Sequence, residues 1–270
     1  MKGGHTMKYA NAILKPFLIL IITVFLTTLV PTIAVEFLPF GDNGKALAAQ
    51  LFIVIGQVLT AFLISLSVKK DNSINISEHF SPKNVSIKKA AAIAVCAATV
   101  SLFSVELLSV IFSAVSPQTG SDADIYMPAY IVSAAMGILI APACEEIVFR
   151  ICSYESTKSV IGIIPALLIS SAAFSAAHLR GLYGFLDSFI AGIVLSVIYI
   201  KTGNAFYSAA AHSLSNLIFI AFDLISYAGF EPYNFENGYY FIEPTVLVIA
   251  AAAAVISGIY LKRRTAVCKQ

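Results

Sequence analysis

The chain has 270 residues, a formal net charge of +2, 59% apolar residues and only 12% charged ones, where soluble domains carry about 25% charged residues. Its apolar residues come in blocks of roughly 17–26, and about 20 residues of helix span a bilayer. That disfavours a soluble fold and predicts an all-α, polytopic membrane helical bundle. Cys96, Cys144, Cys152 and Cys268 form no CxxC pair, so they give neither a disulfide framework nor a zinc-ligand spacing.

Eight transmembrane helices are expected in chain order: Phe17–Val35, Leu47–Val68, Ala90–Val115, Tyr130–Ser153, Ile161–Leu179, Phe185–Ile200, Ala205–Ile225 and Pro244–Leu261. The first follows lysines and exceeds the roughly 7–15-residue core of a signal peptide. It is read as an uncleaved anchor, with Met7 an alternative start. No repeat or long linker divides the chain, so residues 1–270 form a single integral-membrane domain.

The basic residues orient the bundle. Lys2, Lys8 and Lys15 precede the first span, and Lys69, Lys70, Lys83, Lys88 and Lys89 follow the second. Lys158 and Lys201 sit in later turns, and Lys262, Arg263, Arg264 and Lys269 form the tail. With eight spans all fourteen fall on one side, which the positive-inside rule makes cytoplasmic. Both termini then face the cytoplasm. The other side has Lys45 and Arg180, with Asp122, Asp124, Glu231 and Glu236.

Residues 144–150, "CEEIVFR", set three charges inside an apolar block. Each would cost about 2.5–3.5 kcal/mol at the centre of a span facing lipid, so they must face inward or pair. Glu146 and Arg150 are four apart on one helix face and suit an ion pair. Glu145 is turned about 100° away and stays unclaimed. His178 in "FSAAH" and His212 in "HSLSN" are the intramembrane histidines, and Asn216 shares a face with His212. Cys144 adjoins Glu145 but points elsewhere, so no thiol nucleophile is assigned.

The fourth and fifth helices pair about "KSVIGIIP", where Gly162 and Pro165 supply turn chemistry. That brings Glu145 and His178 to similar depth. Matching the depth of His212 requires this hairpin to project into the cytoplasm, which sets the site on the cytoplasmic half. Of the remaining polar residues, Glu106 is expected to line a cavity or, preferably, to pair with Arg180. Asp187 and Asp223 are expected to face water, and His5 and His79 to be solvated. Residues 233–241, "YNFENGYYF", read as an interfacial aromatic belt.

"EEIVFR", "FSAAH" and "HSLSN" match EExxxR, FxxxH and HxxxN in this order. Over residues 130–225 the chain resembles the CPBP (Abi) family, which holds type II CAAX prenyl endopeptidases and bacteriocin-processing or self-immunity proteins. The resemblance implies an intramembrane bundle with a catalytic cavity. It implies Glu145 as the base that activates water, His178 as a binder of that water, and His212 and Asn216 as oxyanion donors. Glu146 and Arg150 would support them.

Peptide hydrolysis needs just such a base and donors. Two histidines and a glutamate are also a zinc-like set with an open position; if a divalent metal binds, its ligands are Glu145, His178 and His212. The HExxH spacing is absent, and no obligatory metal is expected.

The leading reading is thus an endopeptidase of a bacterial plasma membrane. It acts on a membrane-associated peptide or protein near the cytoplasmic side, with lipid and not nucleic acid as its surroundings. Two other readings stand beside it. One is a non-catalytic scaffold or immunity protein that binds a bacteriocin or partner. The other is a proton relay or transporter, which the lack of inverted repeats ranks last.

Overall fold

The computed structural model describes residues 14–72, 74–83, 85–115, 126–227, 229, 232–236 and 239–267. Lys2, Lys8, Lys269, His5, Met7, Asp122, Asp124, Glu231 and Cys268 lie outside the described residues. The chain is an all-α polytopic helical bundle with one small hairpin.

The first helix, α1 (Leu14–Glu36), is apolar throughout. Pro31 has no N–H for the Thr27 carbonyl, and a π turn at Phe25–Leu29 precedes it. Thr27 Oγ1 donates to the Thr23 carbonyl, and Thr23 Oγ1 to the Ile19 carbonyl, both at 2.8 Å. A short turn leads into α2 (Asp42–Asn72), which packs back on α1. The two backbones meet at Gly56, where a Cβ would collide with the Leu26 carbonyl oxygen.

A loop with the short α3 (Ile76–His79) leads to α4 (Ile87–Val115). Then come α5 (Met127–Leu139) and α6 (Ala141–Ile161), bent by 42° at Ile140. The expected single span Tyr130–Ser153 is therefore broken. Pro142 explains the break: it can neither donate to the Ile138 carbonyl nor tolerate it sterically. Beyond Ile147 the helix winds as π turns through Tyr154 and continues through the polar "SYESTKS" to Ile161.

Gly162 takes φ 89, a left-handed backbone that glycine adopts without strain. It turns the chain into α7 (Ile163–Ala177). This helix has 15 residues and is about 22 Å long, short of the roughly 30 Å hydrocarbon core. Next are α8 (Leu182–Thr202) and α9 (Ala205–Tyr227). The hairpin β1 (Tyr233–Glu236) and β2 (Tyr239–Ile242) pairs antiparallel and leads into α10 (Pro244–Val267).

Each of the eight expected segments is helical over most of its length. Among the described residues six helices are long and apolar enough to cross a membrane, or seven with the bent pair counted as one span. The helix α7 falls below that length.

The main core gathers Ile64 of α2, Ala97 of α4, Phe149 of α6, Phe174 of α7, Leu195 of α8 and Ala211 of α9. The last helix, α10, packs on α4 at the edge, where Thr99 Oγ1 reaches the Ala250 carbonyl at 3.1 Å. The hairpin is more than an interfacial belt. Tyr239 is buried against Tyr183 and Phe112.

The contact at Gly56 yields the first test. Gly56→Val must push α1 off α2, and overpacking of this kind costs about 1–3 kcal/mol. Thermal unfolding in detergent should show a lower midpoint, whereas Gly41→Ala, with open space around it, should not.

Candidate active site

The second turn of α6 follows directly on the bend, and it carries two carboxylates into the bundle. Glu146 Oε2 lies 3.1 Å from Arg150 Nε, and both side chains are fully buried. The expected ion pair is formed. The other two guanidinium nitrogens have no hydrogen-bond partner among the described residues. Part of their charge faces the Phe174 ring, 4.9 Å from the guanidinium carbon, a cation–π contact that strengthens when desolvated.

Phe174 is the hub of the site. Its ring also meets His178 at 4.6 Å, Phe149 at 5.4 Å and His212 at 5.7 Å. The sequence motif contains this phenylalanine, yet spacing alone assigned it no task. Its carbonyl oxygen takes a hydrogen bond from His178 Nδ1 at 2.8 Å. A carbonyl only accepts, so Nδ1 carries the proton and leaves Nε2 of the neutral ring as an acceptor. His178 ends α7, and Leu179 beyond it takes the left-handed φ 49.

His212 of α9 stands between the two glutamates. Its Nδ1 is 3.6 Å from Glu146 Oε1, and its Nε2 is 3.8 Å from Glu145 Oε2. The other oxygen of Glu145 accepts from Gln57 Nε2 at 3.4 Å. Gln57 belongs to α2, in the half of the chain that reads only as hydropathy, and no motif marks it. A polar residue in an apolar span was the available signal. Asn216 donates from Nδ2 to the Gly137 carbonyl at 2.8 Å, which ties α9 to α5 just before the bend. Its amide keeps a second N–H.

Glu145, His178, His212 and Asn216 line one cavity of about 600 Å³. Glu146 and Arg150 lie behind its wall, fully buried. The cavity lining extends to Arg180, Tyr183, Asp223 and Ile242, beside the α7–α8 turn and the hairpin. These residues lie at the end of α8 and α9 away from Lys201.

Other expectations change. Glu106 does not pair with Arg180 among the described residues. Its Oε2 accepts the Ile242 backbone N–H at 2.7 Å and so anchors the hairpin. Asp187 faces the cavity and accepts from Ser104 Oγ at 3.1 Å. Asp223 is exposed, as expected, and Tyr130 Oη donates to it at 3.1 Å. His79 is half-buried, with Nδ1 2.7 Å from Tyr199 Oη. Cys144 packs against the apolar core, which agrees with no nucleophilic role.

Glu145, His178 and His212, the three residues named as ligands if a metal binds, line the same cavity. Among the described residues no three His, Cys, Asp or Glu side chains converge as ligands. His178 bonds a backbone carbonyl through Nδ1 and keeps Nε2 open, while His212 lies 3.6 and 3.8 Å from two separate carboxylates.

The fold and site together define an integral membrane protein with a carboxylate–histidine cavity inside its helices. Residues 127–218 match the family described as "Type II CAAX prenyl endopeptidase Rce1-like". That stretch is about a third of the chain and holds every residue of the three motifs, but not Gln57. No curated protein and no solved structure matches the chain.

Burial separates the two glutamates in a testable way. Arg150→Met strands the Glu146 charge in the core, and removing one member of a buried pair costs about 3–5 kcal/mol. The variant should unfold far earlier in detergent than the parent. Glu145→Gln, half-buried at the cavity wall, should unfold with the parent.

Proposed function

We propose that the chain is an intramembrane endopeptidase. Glu145 activates a water that hydrolyses a membrane-associated peptide or protein. The observation that carries this is the Glu145 carboxylate held in the cavity wall between Gln57 and His212, with His178 and Asn216 on the same cavity. The Rce1-like match supports it, since that family is one of CAAX endopeptidases.

In this reading water gives a proton to Glu145 as its oxygen attacks the scissile carbonyl carbon. His178 Nε2 accepts a hydrogen bond from the same water. The carbonyl oxygen becomes an oxyanion beside His212 and the free N–H of Asn216, donors of the kind that lower such barriers. Collapse breaks the C–N bond, and Glu145 returns the proton to the leaving amine. No step needs a metal. Processing of a bacteriocin-like peptide, or immunity to one, in a bacterial plasma membrane is the role we assign to this chemistry.

One observation favours a second reading. Asn216 and His178 both bond to backbone carbonyls, as residues of a purely structural scaffold would. Such a protein would bind a bacteriocin or partner without cleaving it.

Glu145→Gln and His178→Ala separate the two. Losing a base costs typically 10²–10⁴-fold, so cleavage of a membrane-tethered reporter peptide should disappear while the protein still inserts. Retained cleavage in either variant would sink the mechanism, and activity should survive EDTA. Gln57→Leu should lower kcat about tenfold, the worth of one hydrogen bond to a charged group, with KM nearly constant. An unchanged kcat would remove Gln57 from the machinery.

A further inference from the structure

We infer that the cavity receives its peptide from the extracytoplasmic side of the membrane. This names the substrate's route into the hydrolytic site proposed above and rests on that reading. Its own support is separate: the direction in which the cavity opens, and the placement of the basic side chains.

From Glu145 and His212 the residues lining the cavity run toward one end of the bundle. On α9 they pass Asn216 and finish at Asp223. On α8 they run back toward the start of the helix and finish at Tyr183. The rim is completed by Arg180 and by Ile242 of the hairpin. Glu106 holds that hairpin edge open at one side by accepting the Ile242 N–H, and Ser109 meets Tyr183 at 3.1 Å.

The opposite end is shut by paired polar groups. Asn204 accepts the Ser81 N–H at 3.3 Å and donates to the Ser81 carbonyl at 2.7 Å. Tyr207 Oη accepts the Ser86 N–H at 3.2 Å, and Phe80 packs edge-on against Phe206 at 5.8 Å. Tyr199 donates to Glu155 at 2.8 Å. Its single hydroxyl hydrogen is then committed, so His79 Nδ1, 2.7 Å away, donates to it. Lys158 closes the row on Glu155 at 2.7 Å. Among the described residues, none of these lines the cavity.

Charge tells the two ends apart. Lys69, Lys83, Lys88, Lys89, Lys158 and Lys201 lie at the shut end, as do the start of α1 with Lys15 and the end of α10 with Lys262 and Arg263. The open end has Lys45, which pairs with Glu36 at 2.8 Å, and Arg180. Short loops rich in lysine stay in the cytoplasm, so the shut end is cytoplasmic and the mouth faces out. The substrate class that suits this mouth is an exported or membrane-inserted peptide segment exposed on the outer face. A cytoplasmic protein with a lipidated end would meet the shut end instead.

Thiol accessibility tests the route without requiring hydrolysis. In the full chain, with Cys96, Cys144, Cys152 and Cys268 changed to alanine, Ser133→Cys and Ser215→Cys place near-isosteric thiols on two walls of the cavity. Lys201→Cys marks the shut end, and Gly181→Cys the open turn. Intact cells are treated with a membrane-impermeant maleimide.

S133C, S215C and G181C should be labelled from outside, and K201C only after permeabilisation. Two wall positions guard against one variant failing to insert. The inference is overturned if both wall thiols resist labelling in intact cells, or if K201C is labelled there. An inactive chain whose wall thiols react from outside would sink the peptidase and keep the route. An active chain whose wall thiols do not react would do the reverse.

Discussion

The structure depends on one ion pair buried where lipid-like side chains surround it. Glu146 and Arg150 are fully buried at 3.1 Å. Neither charge can be left alone there, because an uncompensated charge in a low-dielectric interior costs several kcal/mol. The pair therefore dictates what packs against it: Phe174 over the guanidinium and His212 against the carboxylate. Those two contacts bring α7 and α9 to α6. A helix carrying this pair has to sit in the middle of the bundle, and α6 does.

From that pair outward the site follows by helical geometry. Consecutive residues on a helix point about 100° apart. If Glu146 turns into the core toward Arg150, Glu145 turns toward the open space beside it. That space exists because two helices stop early. The break at Pro142 separates α5 from α6, and α7 ends at His178. A continuous span in either place would fill the room the cavity occupies. The π turns from Ile147 to Tyr154 add a further stretch of irregular backbone, which membranes tolerate where it is buried in protein.

Polar groups at the two ends of the bundle do opposite things. At one end they bond to one another across loops and shut it. At the other, Glu106, Asp187 and Asp223 are each engaged by a neighbour in a way that holds a wall in place. The cavity lining follows the second set and not the first, with Glu145 and His212 on its wall. Glu145 is half-buried at that wall, and reduced contact with bulk water strengthens each electrostatic interaction there.

Sequence alone determined the membrane class, the helical segments, the Glu146–Arg150 pair and the set Glu145, His178, His212 and Asn216. The first three rest on hydropathy or on spacing along one helix, and the last, spread over three helices, rests on the polar residues of apolar spans and on the resemblance carried by three motifs. It also contained Pro142 and Gln57, but their meaning depended on neighbours far away in the chain.

Only the tertiary structure decided that Gln57 reaches Glu145 across 88 residues and that Phe174 joins both histidines to Arg150. Only it showed that Glu106 anchors a hairpin and, among the described residues, does not pair with Arg180, and that the cavity lining reaches Arg180, Tyr183, Asp223 and Ile242. A helix's periodicity says which residues share a face. It is silent on which other helix that face meets and on which end of the bundle the loops close.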